Sequence, residues 1–469
     1  MIGDLAIVLA SILVLIASAL IYRLAAGDVV LGKLNMLSYA FYVLVFQGWS
    51  GGVIVTVGWE FGAFDPQIFN NIVGERATKV ELWAWLMWMF IGVPFGALMM
   101  NQITRTGSMT RRMEHYRASP LKIQDYEMPL FSACAIMGIL ILAITGYRLY
   151  VMDDLPVLNI LNTGDVESTL RMRRVFRVGT GFGTEVLSSI FSSTVIAWMS
   201  YVAYAVAGVT KLLRWRVLFA VTFIGSILLL LANTTVSPIF IFLLGFIIVR
   251  SVMGFKVWRL TEVAAALGLL VLMLIVFKNQ DRIILKALHE AILGRIISGQ
   301  LLGFYMARNV FPNLEPFIGF ASTGTKIHEL MGLPISPSYG ILTMLHYNSI
   351  GVESGTAGHM TTIFMGEAWA NFGYFGLVIA PLWVGAFVQA MNLWFISRPK
   401  TMVNVGLYAA LATTCGYHSD FISFYYPLGT ILFLLGVTFV LIVARFFGAR
   451  PGGPPSGQRQ RPRPAPQPH

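Results

Sequence analysis

Residues 424–444 read FYYPLGTILFLLGVTFVLIVA, a run without a single charged side chain. A helix needs about 20 such residues to cross a bilayer, because in hydrocarbon every backbone N–H and C=O must be paired within the helix itself. Similar runs recur along the 469 residues, of which 57% are hydrophobic and 12% charged. A water-soluble domain of this length could not stay in solution with that composition, so we predict an all-α polytopic membrane protein.

The apolar runs predict about 11 spanning helices. They lie at roughly 2–22, 34–57, 80–100, 128–150, 185–208, 217–232, 236–250, 261–277, 362–396, 403–418 and 424–444. The first begins Met1-Ile2-Gly3-Asp4, without the basic start or cleavage site of a signal peptide, so we expect a retained helix. Residues 362–396 are too long for one straight span, and we expect the part from Glu367 to Gly373 to lie at the outer interface or to enter as a broken helix.

The basic residues predict the orientation, since Lys and Arg concentrate in cytoplasmic loops. If successive loops alternate between the two sides along 11 helices, one set of loops contains 20 of the 33 Lys and Arg residues and only five acidic residues. The N-terminus is therefore predicted to lie outside and the C-terminus in the cytoplasm. The net charge of +11 comes mostly from these loops. The basic residues are scattered over several short loops, which argues against nucleic-acid binding.

We predict one membrane domain over residues 1–447, with long outer loops at about 151–184 and 278–361. The second loop is expected to fold into short helices on the outer face. Residues 448–469, rich in Pro and Arg, lack the apolar content to fold and are predicted to form a disordered cytoplasmic tail. The two cysteines lie in apolar spans and imply no disulfide framework.

Arginines in the outer loops favour an anionic ligand, because guanidinium stays charged and matches phosphate oxygens. Contact with lipid headgroups, or pairing with Asp165, Glu167 or Asp281, would explain them equally simply. Arg295 is the best candidate, because it interrupts an apolar stretch between Gly294 and Gly299, where an unpartnered charge is costly. The other candidates are Arg171, Arg173, Arg174 and Arg177 in the first loop and Arg282 and Arg308 in the second.

Acidic and histidine side chains are also concentrated on the predicted outer side. Glu367 and Asn371 lie four residues apart and so share one helical face. A general base for a sugar hydroxyl must lie within hydrogen-bond reach of it in a bound pose. Glu367, His359, Glu353 and His346 are candidates by their location on this side, and Glu367 could instead reach to the interface or cap a helix. Asp420 could bind the glycan, or it could pair with His418 merely to cap the last two helices. For each histidine a structural role competes with catalysis.

No metal or nucleotide motif is present, since the chain lacks HExxH, zinc-spaced Cys or His clusters and glycine-rich phosphate loops. We therefore expect no cofactor. A transferase on the outer face would use a preactivated, membrane-borne donor. A lipid diphosphate fits, with arginines supplying the charge stabilisation that Mg²⁺ provides elsewhere.

The chain resembles the bacterial O-antigen and oligosaccharide repeat-unit polymerases of the Wzy type, which are related to the O-antigen ligases. The resemblance rests on the long late outer loop, on Gly294-Arg295, and on Gly366-Glu367-Ala368-Trp369-Ala370-Asn371-Phe372-Gly373-Tyr374-Phe375-Gly376. It covers roughly the second half of the chain, and the first half agrees only in helix count and sidedness. The arginines of the first loop are denser than the family pattern, and no motif transfers the catalytic base.

This resemblance implies a GT-C-like, metal-independent, inverting glycosyltransferase in the bacterial inner membrane. Such an enzyme would move a growing glycan from undecaprenyl diphosphate to a lipid-linked repeat unit at the periplasmic face. The outer-loop arginines would hold the diphosphates, and a Glu or His would deprotonate the acceptor. A chain-length regulator or other export proteins would be its partners.

Two other functions agree with the sequence. An O-antigen ligase shares the topology and donor and differs only in its acceptor. A transporter or flippase of lipid-linked glycans would carry out no catalysis, but it should place charged residues near the bilayer midplane in both halves, whereas these spans are nearly free of charge.

Overall fold

The computed structural model is helical throughout the part of the chain that it describes. The only β pairing there is an isolated bridge between Lys122 and Thr401, which confirms the predicted all-α class. The described residues are 2–58, 76–123, 127–151, 194–232, 237–256, 299–321, 323, 328–329, 331–354, 360, 362–415, 417 and 420–448.

We number the α-helices in chain order. The first half contains α1 Ile2–Ala26, α2 Met36–Leu44, α3 Ser50–Val57, α4 Arg76–Ile103, α5 Met109–Ala118, α6 Glu127–Val151, α7 Ile196–Thr210, α8 Leu213–Ala232 and α9 Ser237–Met253. The second half contains α10 Gly299–Val310, α11 Tyr339–Tyr347, α12 Ser349–Ser354, α13 Phe364–Ile396, α14 Met402–Thr414, α15 Ile422–Tyr425 and α16 Leu428–Gly448.

Seven of the helical segments are long and apolar enough to cross a membrane. The helices α7, α9 and α14 are apolar but shorter. The chain is therefore a polytopic membrane protein, and ten of the predicted spans correspond to one of these segments. The predicted span 261–277, most of the loop 151–184 and the predicted tail after residue 448 lie outside the described residues.

Several helix boundaries differ from the prediction for local reasons. The predicted span 424–444 begins instead at Leu428, directly after Pro427, and the residues before it form the separate short helix α15. Proline interrupts a helix because it lacks an N–H and its ring clashes with the preceding turn. In the predicted span 34–57, a π-helical turn over Val45–Trp49 joins α2 to α3.

Close packing of α4 against α13 forms the central helix pair. A Cβ atom on Gly96 would lie 2.0 Å from the Leu382 carbonyl oxygen, and one on Gly385 would lie 1.8 Å from the Val93 carbonyl oxygen. These glycines let the two backbones approach each other directly, which is how helices gain packing energy in a solvent as apolar as their own side chains.

Loops that are predicted to lie on the same side of the membrane contact one another at each end of the bundle. At the predicted outer end, Arg76 forms an ion pair of 2.6 Å with Asp4. At the other end, Lys400 donates to the carbonyl of Ser119 at 2.7 Å, and Ser251 donates to the carbonyl of Leu34 at 2.7 Å. These contacts agree with the predicted alternation of the loops that they join, and which end faces the cytoplasm stays a prediction.

Hydrogen bonds between neutral polar side chains connect three helices near the end of the bundle where Lys400 lies, which we call the basic end. Gln389 donates to the side chain of Asn101 at 2.6 Å, and Tyr408 donates to Asn392 at 2.7 Å. Asn392 in turn donates to Gln389 at 3.3 Å. Because each buried polar group has a partner, the network connects α4, α13 and α14 without leaving a charge in the core.

Candidate functional site

The long helix α13 is broken near its start, as its length predicted. Gly373 has φ +58° and ψ −140°, a backbone conformation that only glycine adopts readily. A Cβ atom there would lie 2.9 Å from the ring of Phe317. The break separates a short helix, residues 364–372, which we call the outer helix after its predicted side, from residues 374–396. At 1.5 Å per residue, the second segment is long enough to cross a bilayer alone.

The break frees backbone carbonyls that the helix can no longer pair, and the second outer loop pairs them. The N–H of Ile318 donates to the carbonyl of Ala370, and the N–H of Gly319 donates to that of Asn371, both at 3.0 Å. Trp369 strengthens the attachment, because its indole N–H donates to the carbonyl of Phe311 at 2.9 Å. The described part of this loop contains the short helices α10, α11 and α12, as expected, and these contacts pack it against the start of α13.

Glu367 is a buried carboxylate in this outer helix, with 2% of its surface exposed. Its Oε2 accepts a hydrogen bond of 2.8 Å from the backbone N–H of Ile422, at the start of α15. Asp420, two residues before Ile422, lies close enough to interact electrostatically with Glu367. Two of the predicted site residues, Glu367 and Asp420, are thus brought together although 53 positions separate them in the sequence.

Asn371 faces the same segment as Glu367, which confirms their predicted common face. Its side-chain NH₂ donates to the hydroxyl of Tyr425 at 3.2 Å, and that hydroxyl also lies 3.2 Å from the hydroxyl of Thr323. The Oδ1 atom of Asn371 is buried without a hydrogen-bond partner. Three separate stretches of the chain therefore meet at Tyr425.

Aromatic rings surround this meeting point. Phe320 lies 5.0 Å from Phe372, and Phe421 lies 5.2 Å from Tyr425, measured between ring centroids. Phe320 also contacts Tyr425 at 5.8 Å. Such tilted and edge-to-face ring pairs add packing energy to the hydrogen bonds at Tyr425. The carboxylates therefore lie beside a well-packed cluster of aromatic rings.

Tyr339, at the start of α11, approaches both carboxylates and was not predicted as a site residue. Its hydroxyl donates to the carbonyl of Met360 at 3.3 Å. Burial, followed by the charges of Asp420 and Glu367, raises the pKa of Tyr339 well above its usual value. The phenol therefore stays protonated and acts as a hydrogen-bond donor. Tyrosine has no motif spacing here, so sequence offered no signal for it.

Unpaired polar atoms lie on the residues around the carboxylates. The hydroxyl of Thr362 is buried without a partner and lies 2.9 Å from where a Cβ on Gly366 would be. The hydroxyl of Thr343, one turn after Tyr339 on α11, is likewise buried and unpaired among the described residues. Buried polar groups normally have partners, so unpaired ones indicate a position for a ligand or water.

Arg308 lies on the other face of the outer helix from Glu367. Its guanidinium stacks 4.6 Å from the ring centroid of Trp369 and approaches Glu81 at 3.4 Å. The second oxygen of Glu81 accepts a hydrogen bond of 3.0 Å from Tyr374. Arg308 is therefore partnered by an acid and an aromatic ring of the protein, although the acid is not one of those predicted and the Nε of Arg308 is buried and unpaired.

The remaining predicted site residues either lie apart from the two carboxylates or fall outside the described part of the chain. His346 pairs with Glu315 at 3.0 Å, and Glu353 is exposed near the end of α12. Among the described residues no group of three or more His, Cys, Asp or Glu side chains could hold a metal ion. The residues outside the described part of the chain are Arg171, Arg173, Arg174, Arg177, Arg282, Arg295 and His359.

No family model, curated protein or solved structure matches the chain. The candidate site is therefore defined by its own chemistry. It combines two adjacent carboxylates, one of them buried, with a protonated phenol and several unpaired polar atoms. Such a group can take a proton from a hydroxyl and hydrogen-bond its neighbours.

Proposed function

We propose that the chain is a polymerase of a bacterial surface polysaccharide. It would transfer a growing glycan from undecaprenyl diphosphate to a lipid-linked oligosaccharide repeat unit at the periplasmic face of the inner membrane. The observation that carries this proposal is the buried Glu367 beside Asp420, held at the break of α13. The proposal includes 11 spans, a GT-C-like arrangement, a periplasmic N-terminus and a cytoplasmic C-terminus.

Glu367 is the proposed general base. The acceptor hydroxyl oxygen would attack the anomeric carbon of the donor from the face opposite the leaving group, which inverts the configuration. As the new C–O bond forms, the bond to the diphosphate breaks and its electron pair goes to the diphosphate oxygen. The hydroxyl proton would pass to the Glu367 carboxylate, whose position is set by the N–H of Ile422 at 2.8 Å.

Asn371 and Tyr339 are the proposed contacts for the glycan. The unpaired Oδ1 of Asn371 can accept a hydrogen bond from a sugar hydroxyl. The phenol of Tyr339, which stays protonated, could donate one only by releasing the carbonyl of Met360. A site built to hydrogen-bond several hydroxyls discriminates strongly, because a substrate lacking one leaves a buried polar group unpaired.

The diphosphate is assigned to the outer-loop arginines, with Arg295 first among them. Stabilising charge on a leaving diphosphate is worth several kcal/mol, which is the scale of a removed oxyanion-hole donor at about 3 kcal/mol. Because arginine would replace Mg²⁺ in this role, EDTA should leave the activity unchanged. Arg308 would join this set only by exchanging Glu81 for phosphate.

The distribution of buried charge supports surface chemistry over transport. Among the described residues only two charged side chains are fully buried, Glu367 and Lys400, and they lie at opposite ends of the bundle. A pathway for a charged glycan across the membrane should instead place charged or polar residues near the midplane in both halves.

The test is the length distribution of surface glycan in the native host after deletion of the gene. The deletion strain is complemented with wild type, Glu367→Gln, Arg295→Ala or Glu329→Gln. Glutamine keeps the shape of Glu367 and a hydrogen-bond acceptor for Ile422 but cannot serve as a base, so we expect a rate loss of about 10²–10⁴ and no polymer ladder. The exposed Glu329 is the matched control and should restore the ladder.

Each outcome distinguishes one function from the others. Single repeat units still attached after deletion would establish a polymerase. Loss of all attached glycan, with lipid-linked polymer accumulating, would identify a ligase. An unchanged ladder after deletion would exclude both, and a normal ladder from Glu367→Gln at wild-type protein level would refute its role as the base.

A further inference from the structure

A cavity lies at the end of the bundle opposite the carboxylates, where α4 and α13 end. It has a volume of about 300 Å³ and lies between the ends of α4 and α13 and the start of α5. Its lining includes Leu393 and Trp394 from α13, Arg112 from α5, and the hydroxyl residues Thr104, Thr106 and Ser397. No acidic side chain lines it.

The cavity crosses the level at which the spanning helices end. Leu393 and Trp394 belong to the last turn of α13, which ends at Ile396, whereas Thr104 follows directly after the last residue of α4. Trp394 is 46% exposed and Ile103 is 72% exposed. A tryptophan at the end of a span lies at the headgroup level, with lipid tails on one side and water on the other.

Positive charge is concentrated on the aqueous side of this cavity. Arg112 lines it, and the guanidinium of Arg398 stacks 3.9 Å from the ring centroid of Trp394. Stacking holds a guanidinium by its face and leaves its N–H groups free to bind an anion at the edge. Arg112 belongs to α5, whereas Arg398 follows the end of α13 and reaches the cavity through its contact with Trp394, which lines it.

The hydroxyl groups do not supply this recognition. Thr104 donates to the carbonyl of Met100 at 2.8 Å, Thr106 lies 2.6 Å from Thr104, and Ser397 donates to the carbonyl of Trp394 at 2.9 Å. Their hydrogens are therefore used within the protein. The binding of an anion would therefore depend on the two arginines.

We propose that this cavity binds an anionic phospholipid, with its phosphate at Arg112 and Arg398 and an acyl chain along Ala390, Leu393 and Trp394. A phospholipid places its phosphate towards the water and its acyl chain towards the bilayer. This order matches the arginines on the aqueous side of the cavity and the apolar side chains on its bilayer side. The chain's own tail does not complement the cavity, because residues 449–469 contain several arginines and no acidic residue. This proposal is independent of the proposed glycan chemistry.

The test is native mass spectrometry of the full-length protein, purified in detergent and titrated with phosphatidylglycerol or phosphatidylcholine. We expect at least one phosphatidylglycerol to remain bound under conditions that remove phosphatidylcholine. Arg112→Gln and Arg398→Gln should each weaken retention about fivefold, and the double variant about 25-fold, from the scale of interaction between one basic residue and an anionic lipid surface. Arg111→Gln, a neighbouring exposed arginine that does not line the cavity, is the matched control.

Three results would overturn the proposal. Equal losses from Arg111→Gln and Arg112→Gln would mean that the whole basic face attracts lipid without a defined site. Equal retention of phosphatidylcholine would mean that the cavity recognises only apolar chains. Displacement of phosphatidylglycerol by millimolar inorganic phosphate would identify the ligand as a free phosphate.

Discussion

The substitution Gly373→Ala tests whether the break in α13 is required by the fold. At φ +58° and ψ −140°, a residue with a Cβ atom is strained by about 1–3 kcal/mol. The new Cβ would also lie 2.9 Å from the ring of Phe317, so that ring or the backbone must move, at a cost of about 1 kcal/mol. We therefore expect a loss of about 3 kcal/mol in the free energy of unfolding.

Two other glycines separate these contributions. Gly58 has φ +84° and open space around it, so Gly58→Ala should cost about 1 kcal/mol from backbone strain alone. Gly146 lies inside α6 with nothing within 4 Å of a new Cβ, so Gly146→Ala should be neutral or stabilising by up to about 1 kcal/mol. Adding Phe317→Leu to Gly373→Ala should recover about 1 kcal/mol relative to the sum of the single effects.

The assay is reversible unfolding in mixed micelles of a mild detergent and SDS, followed by the fluorescence of the 11 tryptophans. Polymer length in the complemented strain is measured in parallel. A Gly373→Ala protein as stable as Gly146→Ala would refute the reasoning, because it would mean that the helix can pass through residue 373 without strain. A destabilised variant with no coupling to Phe317 would refute the contact but not the backbone argument.

Tyr425→Phe removes the hydroxyl to which Asn371 and Thr323 are hydrogen-bonded. We expect the free energy of unfolding to fall by about 1–2 kcal/mol and polymer synthesis to decrease. If neither the free energy of unfolding nor the polymer length changes, the two hydrogen bonds contribute nothing. Burial, followed by the charge of Arg117, lowers the pKa of Lys400 to about 8 from its usual 10.5. Between these values the unfolded chain binds more protons than the folded one, so the free energy of unfolding should rise with pH from about 8 to 10.5. Lys400→Met should show a shallower rise, and equal slopes in a pH series of denaturation curves would contradict this.

The sequence predicts the helices better than the contacts between them. Apolar runs of about 20 residues identify spans because the bilayer penalises every unpaired backbone group. The excess length of 362–396 similarly predicts a break, and Gly373 lies at the end of the expected segment. The π-helical turn at Val45–Trp49 has no comparable signal, since its sequence fits an ordinary helix equally well.

The candidate site is predicted only in part, because its contacts join residues far apart in sequence. Glu367 and Asn371 could be paired by their spacing of four along one helix. The contact of Glu367 with Ile422 spans 55 positions, and that of Arg308 with Glu81 spans 227. No periodicity connects such positions, so Arg308 was predicted as a phosphate ligand while the structure pairs it with a carboxylate and a tryptophan ring.

The helix break and the buried carboxylate have a common physical cause. A helix that stops at the edge of a membrane exposes its last carbonyls, and these are costly unless other protein segments donate to them. Ile318 and Gly319 supply those donors, which brings the second outer loop against the helix end. The loop and the turn before α16 then enclose the preceding helical turn, and Glu367 lies in that turn. Breaking the helix at this position therefore holds the proposed base rigidly, between the long loop and the last span, without placing a charge at the bilayer midplane.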